Sequence, residues 1–345
     1  MLPETGRIVL ACLVGLLVSA CDDSGPTPLP TDPPTISCPP NQTAISPSGG
    51  AVPVSFPPPT VAGGEAPVTT ACTPASGTSL PLGTNSVTCS ARDAQQRTSS
   101  CAFTASVVRP ATLMATKFMA FGDSITGGQL SLDCGGNPPL CSTAPADPAL
   151  RRLAVFQDRH LLRMTATYSA AAYPNQLTTA LTGRYTSQAI TMTNEGLGGE
   201  VVTESEAFDR FRAALTALQP EVVLLQEGVN DLHQFGTSAV PEIASSLRRM
   251  VIEAKSRGMR VYVGTLLPER LCGCRAWAEG LIAPANDQIR AMAAAEGVPL
   301  VDLYQAFGGQ TSTLLGIDGL HPTEAGYQRM ANTFFDAIQA TLEVR

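Results

Sequence analysis

The chain has 345 residues, long enough for two domains and a buried core of ordinary size. Its 22 Lys and Arg against 29 Asp and Glu leave a formal charge of -7. That balance excludes the basic footprint on which nucleic-acid binding depends.

Ile8 to Ala20 is one apolar run, preceded by Arg7 and closed by Ser19-Ala20 and then Cys21. It is too short to span a bilayer and has the length of a signal-peptide core. Val18-Ser19-Ala20-Cys21 resembles the lipobox of bacterial lipoproteins. The resemblance implies a signal peptide over residues 1–20 and a mature protein lipidated at Cys21, with a place in the bacterial cell envelope facing periplasm or exterior. Several acyl chains, at about 0.8 kcal/mol per buried methylene, would hold it on a membrane without a spanning helix. Residues 21–34 are rich in Pro, Thr, Ser and Asp, a composition that favours extended polyproline II and a tether reaching roughly 35 to 40 Å.

With Cys12 removed and Cys21 lipidated, eight cysteines remain: Cys38, Cys72, Cys89, Cys101, Cys134, Cys141, Cys272 and Cys274. An even count in an exported protein favours disulfides. With three histidines and no repeated CxxC spacing, no metal site is expected.

From Thr35 to about Arg109, short strand patterns at Val52 to Phe56, Val68 to Thr70, Ser86 to Thr88 and Phe103 to Val107 are separated by Gly, Pro and Ser turns. That spacing predicts a small β-sandwich. Cys38-Pro39-Pro40-Asn41, Cys72 to Gly77, Leu82 to Cys89, and Ala91-Arg92-Asp93 through Phe103 resemble the hyalin-repeat (HYR) module, which implies an immunoglobulin-like extracellular domain over residues 35–110. Its four cysteines allow three connectivities. A hairpin centred near Gln95 favours Cys89 with Cys101, leaving Cys38 for Cys72. With no Trp or Tyr in the segment, the module reads as a rigid stalk rather than a carbohydrate-binding platform.

Residues 111–345 alternate strand and helix patterns, as a parallel α/β sheet requires. Strands are predicted at Lys117 to Phe121, Ala189 to Asn194, Val222 to Gln226, Arg260 to Gly264 and Pro299 to Leu303. Helices are predicted near Pro174 to Leu181, Glu204 to Leu218, Ile243 to Ser256, Ala285 to Glu296 and Thr323 to Leu342. Five strands with helices on both faces give a three-layer α/β/α sandwich.

Chemistry belongs where such strands end. The first strand runs into Gly122-Asp123-Ser124, and a serine hydroxyl becomes a nucleophile only when a base takes its proton. Of His160, His233 and His321, only His321 carries a carboxylate three residues away, in Asp318-Gly319-Leu320-His321. One segment therefore supplies base and orienter together. His233 and His160 read as surface or structural residues. Attack on an ester also needs donors for the developing oxyanion. Asn194 to Glu200 and Gly228-Val229-Asn230-Asp231 present them at two further strand ends, through glycine backbone N–H groups and an asparagine amide.

Gly122-Asp123-Ser124, Gly199, Gly228-Val229-Asn230-Asp231 and Asp318-Gly319-Leu320-His321-Pro322 match, in order, the four blocks of the SGNH hydrolase (GDSL lipase/esterase) superfamily, and so resemble it from about Lys117 to Leu342. The resemblance implies a flavodoxin-like sheet and an acyl-ester substrate, with no metal or organic cofactor. By position, Ser124 is the nucleophile, His321 the base and Asp318 its partner, with an oxyanion hole from the Ser124 and Gly199 N–H groups and the Asn230 side chain. The substrate class covers small-molecule, lipid or acylated-carbohydrate esters. The alternative is a cell-surface binding or adhesion lipoprotein whose hydrolase-like domain is catalytically silent.

Three features depart from the family pattern. Glu227 stands where a small or apolar residue is usual, Gly196 or Gly198 could replace Gly199 as donor, and a long insertion lies between Leu130 and Ala172. An insertion directly after the nucleophile is placed to set substrate selectivity. Cys134 and Cys141 within it are expected to cross-link to Cys272 and Cys274, because a bridge across the single residue Gly273 would be strained.

Overall fold

The computed structural model describes residues 32–131, 169–271, 273 and 275–344. The expectations placed on the signal peptide, Cys21, the body of the tether, His160, and Cys134, Cys141, Cys272 and Cys274 lie outside the described residues. The chain divides into two compact units between Val108 and Arg109, with Ile45–Gly49 counted in the second.

The first unit holds β1 (Thr35–Ser37), β2 (Gln42–Ile45), β3 (Val52–Pro53), β4 (Thr60–Ala62), β5 (Thr69–Thr73), β6 (Ser79–Leu80), β7 (Gly83–Arg92) and β8 (Thr98–Val108). A four-stranded sheet in the order β2-β8-β7-β5 is accompanied by the two-stranded ladders β1–β4 and β3–β6. Along β7, Val87, Cys89 and Ala91 are buried and alternate with exposed neighbours, the period-two pattern of a sheet with one wet face. Val54, Phe56 and Leu80 meet Val87, Phe103, Ala105 and Val107 in one core, and the Phe56 and Phe103 rings pack edge to face at 5.0 Å. The result is a β-sandwich.

The β7–β8 hairpin forms as expected, its turn held by Asp93, which accepts hydrogen bonds from Arg97 N at 2.9 Å and Arg97 Nε at 2.8 Å. The disulfides differ from expectation: Cys38 pairs with Cys101, and Cys72 with Cys89. Cys89 sits on a middle strand, in register with Cys72 on one side and Cys101 on the other. Only one neighbour can be taken. Cys72 takes it, and Cys101 closes on Cys38 beyond the end of β1.

The second unit contains β9 (Thr112–Leu113), β10 (Lys117–Gly122), α1 (Ser124–Gly127), α2 (Tyr173–Arg184), β11 (Thr191–Gly196), α3 (Ser205–Leu218), β12 (Val222–Gln226), α4 (Val229–Phe235), α5 (Ala239–Ser256), β13 (Arg260–Gly264), α6 (Glu279–Glu296), β14 (Leu300–Val301), α7 (Leu303–Phe307), α8 (Thr311–Leu314), α9 (Glu324–Leu342) and β15 (Glu343–Val344). Five parallel strands run in the order β11-β10-β12-β13-β14.

The path steps one way from β10 to β11 through α2, then back the other way through α3, α5 and α6. Right-handed crossovers place these two groups on opposite faces of the sheet. α9 joins α2 on one face, while α5 packs on α3 and α6 on the other. This is the expected α/β/α sandwich. β10, β12 and β13 are buried along nearly their whole length, as strands covered on both faces must be. Phe121 meets Phe211 edge to face at 4.9 Å on one side, and Tyr173 stacks on Phe334 at 5.0 Å on the other. The strand order reverses at β10, between β11 and β12, and α/β sheets bind their ligands at the carboxyl end of such a switch point.

Candidate active site

Gly122 ends β10 where the backbone turns sharply into α1. A Cβ there would lie 2.1 Å from the Gln226 carbonyl oxygen and 2.3 Å from Thr126 Oγ1, so only glycine lets the ends of β10 and β12 close on this turn. Asp123 caps the helix, its Oδ1 accepting from Ile125 N at 2.9 Å. Ser124 follows as the first helical residue, a position whose backbone N–H has no partner within the helix.

Ser124 Oγ lies 3.0 Å from His321 Nε2, and His321 Nδ1 lies 2.7 Å from Asp318 Oδ2. The other Asp318 oxygen accepts from Leu320 N and His321 N, both at 3.0 Å, so the carboxylate and its histidine are fixed by the same turn. That turn is braced from outside: Arg275 N donates to the Asp318 carbonyl at 2.7 Å and Arg270 N to the Gly319 carbonyl at 2.8 Å. The loop after β13 thus holds the acid in place. Ser124, His321 and Asp318 are all buried. Burial lowers the His321 pKa, against the opposing pull of the Asp318 carboxylate. The imidazole is therefore neutral at neutral pH and free to accept a proton.

The Gly199 loop and Asn230 are built as one piece. Asn230 Nδ2 donates to the Glu200 carbonyl at 2.9 Å, which uses one amide hydrogen and leaves the second. Asp231 accepts from Val202 N and Thr203 N, both at 3.0 Å, and from Thr203 Oγ1 at 2.7 Å. Gly199 has φ +71°, the left-handed region that glycine enters without strain. Gly196 donates its N–H to Asn194 Oδ1 at 3.0 Å, so that group is already committed within its own loop.

Behind these residues lies a buried acidic cluster of Asp123, Glu200, Glu227 and Asp231. Arg210 from α3 answers it. The guanidinium donates to both Glu200 oxygens and to the Glu195 and Gly122 carbonyls, and covers the Phe121 ring at 3.8 Å. Burial pushes Asp123 up to about 7 and Asp231 up to about 6. Glu227 is fully buried, and burial together with the neighbouring Glu200, Asp123 and Asp231 carboxyls raises it well above the usual range. That shift favours the uncharged acid, the form that poses no conflict beside an oxyanion. Among the described residues no group of three or more His, Cys, Asp and Glu is arranged to hold a metal ion.

Sequence reasoning missed three parts of this site. No element was predicted at Val229 to Phe235, yet it is helical and carries Asn230 and His233 on one face. For His233 the structural reading holds and the surface one does not, but its partner was unforeseen: it is buried against Glu269, with Nε2 2.6 Å from Glu269 Oε1. Arg210 is the third, and no local pattern around it marks the carboxylates it serves.

An α/β/α sandwich with a hydroxyl–imidazole–carboxylate chain at its switch point defines a hydrolase-like protein. The GDSL-like lipase/acylhydrolase family matches residues 120–329, and the chain belongs to that family. The HYR domain matches residues 30–107. Among solved structures, the chain is similar to a lipase/acylhydrolase from Enterococcus faecalis, at 21% identity over 66% of this chain and 97% of the other, with a TM-score of 0.49. An alpha/beta hydrolase enzyme from the metagenome of Lake Arreo, Spain, gives 21% identity, 66% and 96% coverage and a TM-score of 0.47. An acetylxylan esterase from Geobacillus stearothermophilus gives 21%, 65% and 94%, and 0.46. Among curated proteins none matches.

Proposed function

We propose that this protein is an exported serine esterase, anchored to a membrane by lipid on Cys21, that hydrolyses carboxylic acyl esters through an acyl-enzyme. The observation that carries the reading is the unbroken chain from Asp318 Oδ2 through His321 to Ser124 Oγ, with contacts of 2.7 and 3.0 Å.

His321 Nε2 takes the Ser124 proton as Oγ attacks the acyl carbon, and Asp318 stabilises the imidazolium that forms. The carbonyl oxygen becomes an oxyanion, received by the Ser124 and Gly199 N–H groups and the uncommitted Asn230 hydrogen. Collapse breaks the bond to the alcohol, which leaves with the proton from His321. Water, deprotonated by the same imidazole, then cleaves the acyl-enzyme and restores Ser124. The HYR domain supports an extracellular or cell-surface location, where it would act as a spacer between membrane and catalytic unit. No helix among the described residues is long and apolar enough to cross a membrane, and the reading assigns attachment to lipid alone.

Ser124→Ala should cut turnover of short acyl esters by about 10⁴-fold or more while the far-UV circular dichroism stays that of the parent. Retained activity in that variant would sink the mechanism. Separately, Cys21→Ala should move the protein from the membrane fraction to the soluble one on fractionation. An unchanged distribution counts against the lipid anchor.

A further inference from the structure

A second histidine–carboxylate pair stands near the first, and the acyl-transfer steps make no use of it. Glu269 is held at both oxygens, with His233 Nε2 2.6 Å from Oε1 and Ala278 N donating to Oε2 at 2.8 Å. An imidazole and a carboxylate are costly to bury unless joined in this way. The pairing also fixes the tautomer. With Nε2 bearing the hydrogen toward Glu269, Nδ1 of that tautomer presents a lone pair. Nδ1 has no hydrogen-bond partner among the described residues, and His233 keeps 6% exposure.

Two observations place this lone pair on the substrate side. His233 lies three residues after Asn230 in α4, one turn along the same helix face. Glu269 and Trp277 also bracket the loop whose Arg270 and Arg275 N–H groups bond the Gly319 and Asp318 carbonyls, which sets the pair beside the turn that carries His321. Beside His233 stands Trp277, the chain's single tryptophan, half-buried, with ring centroids 5.8 Å apart and planes inclined at 52°. A fixed acceptor next to a partly open indole face matches one kind of alcohol.

We infer that His233, oriented by Glu269, and Trp277 form the subsite for the leaving alcohol of the ester, and that this alcohol is a sugar ring, one hydroxyl donating to His233 Nδ1 and its C–H face packed on the indole. The inference rests on the acyl-ester reading of Ser124. A fatty or simple alkyl alcohol would leave Nδ1 desolvated and unpaired, and a site built for a hydroxyl discriminates against partners that lack one.

The test uses the full-length protein and two acetyl esters that share the acyl group: a monoacetylated methyl glycoside, and ethyl acetate, with acetate release followed for both. His233→Ala and Trp277→Ala should each lower kcat/KM on the glycoside by about tenfold or more, chiefly through KM, and leave ethyl acetate within about twofold. Glu269→Gln guards against a folding explanation. Its amide oxygen still accepts from Ala278 N, its NH2 then faces His233, and Nδ1 becomes a donor at nearly unchanged volume. Its loss should again fall on the glycoside alone, and be smaller than that of His233→Ala, since a hydroxyl can also accept from Nδ1. Equal losses on both substrates in all three variants, or no loss on either, overturn the subsite. A parent protein that cleaves ethyl acetate but not the glycoside overturns the subsite alone, whereas one inert on both overturns the esterase reading with it.

Discussion

His321 is the residue on which the proposed chemistry turns, and its surroundings make a definite statement about pH. Burial disfavours the charged imidazolium more than Asp318 favours it, so the pKa falls below the ordinary histidine value. The neutral ring is the working base, and activity should be lost as pH falls through that lowered pKa. The acid limb of kcat/KM is accordingly expected with a single-proton slope and a midpoint below about 6.5. A midpoint above that value would mean that Asp318 outweighs burial. The roles assigned to Ser124, His321, Asp318, Gly199 and Asn230 could be stated from sequence because each stands in a short block at a strand end. The His233–Glu269 pair could not, because its members are 36 residues apart on elements that share no pattern. Glu227 looked unsuitable in sequence for a reason that holds only when it is ionised, and burial disfavours that form.

At the scale of elements, the strands read most clearly are the ones buried on both faces. Val222 to Gln226 and Arg260 to Gly264 were placed at their observed bounds, since a continuous apolar run leaves little freedom of register. β11 begins and ends two residues later than expected. It is an edge strand, half-exposed and rich in Thr and Asn, so its pattern is weak. β14 is cut short because Asp302 caps α7, accepting from Gln305 N at 3.1 Å. α4 was not predicted because it is a helix of only seven residues, entered through Gly228 with φ +127°. The disulfides were misassigned for a geometric reason: adjacency along a hairpin does not choose a partner when a third strand offers one in the same register. The join between β10 and α1 carries its own prediction. Gly122→Ala would force a methyl onto the Gln226 carbonyl and should cost about 1–3 kcal/mol or more in chemical denaturation. An unchanged midpoint would show that this turn can relax.

At the scale of the whole catalytic unit, its first and last strands are neighbours. β15 pairs antiparallel with β9, Glu343 opposite Leu113 and Val344 opposite Thr112, and Glu343 also accepts from Arg184 Nε at 2.7 Å and Tyr185 Oη at 2.9 Å. β9 lies four residues before β10 begins, so this pairing marks the amino-terminal rim of the sheet. The six residues of β10, at about 3.3 Å each, carry the chain roughly 20 Å to the rim where Ser124 sits. The unit is thus entered and left on one side and does its chemistry on the other. Cargo can be hung on the exit side without obstructing the mouth: a fluorescent protein fused after residue 345 should leave kcat/KM on short esters within about twofold. A large loss on fusion would show that β15 and the site are mechanically linked through α9, and that the far rim is less passive than its distance implies.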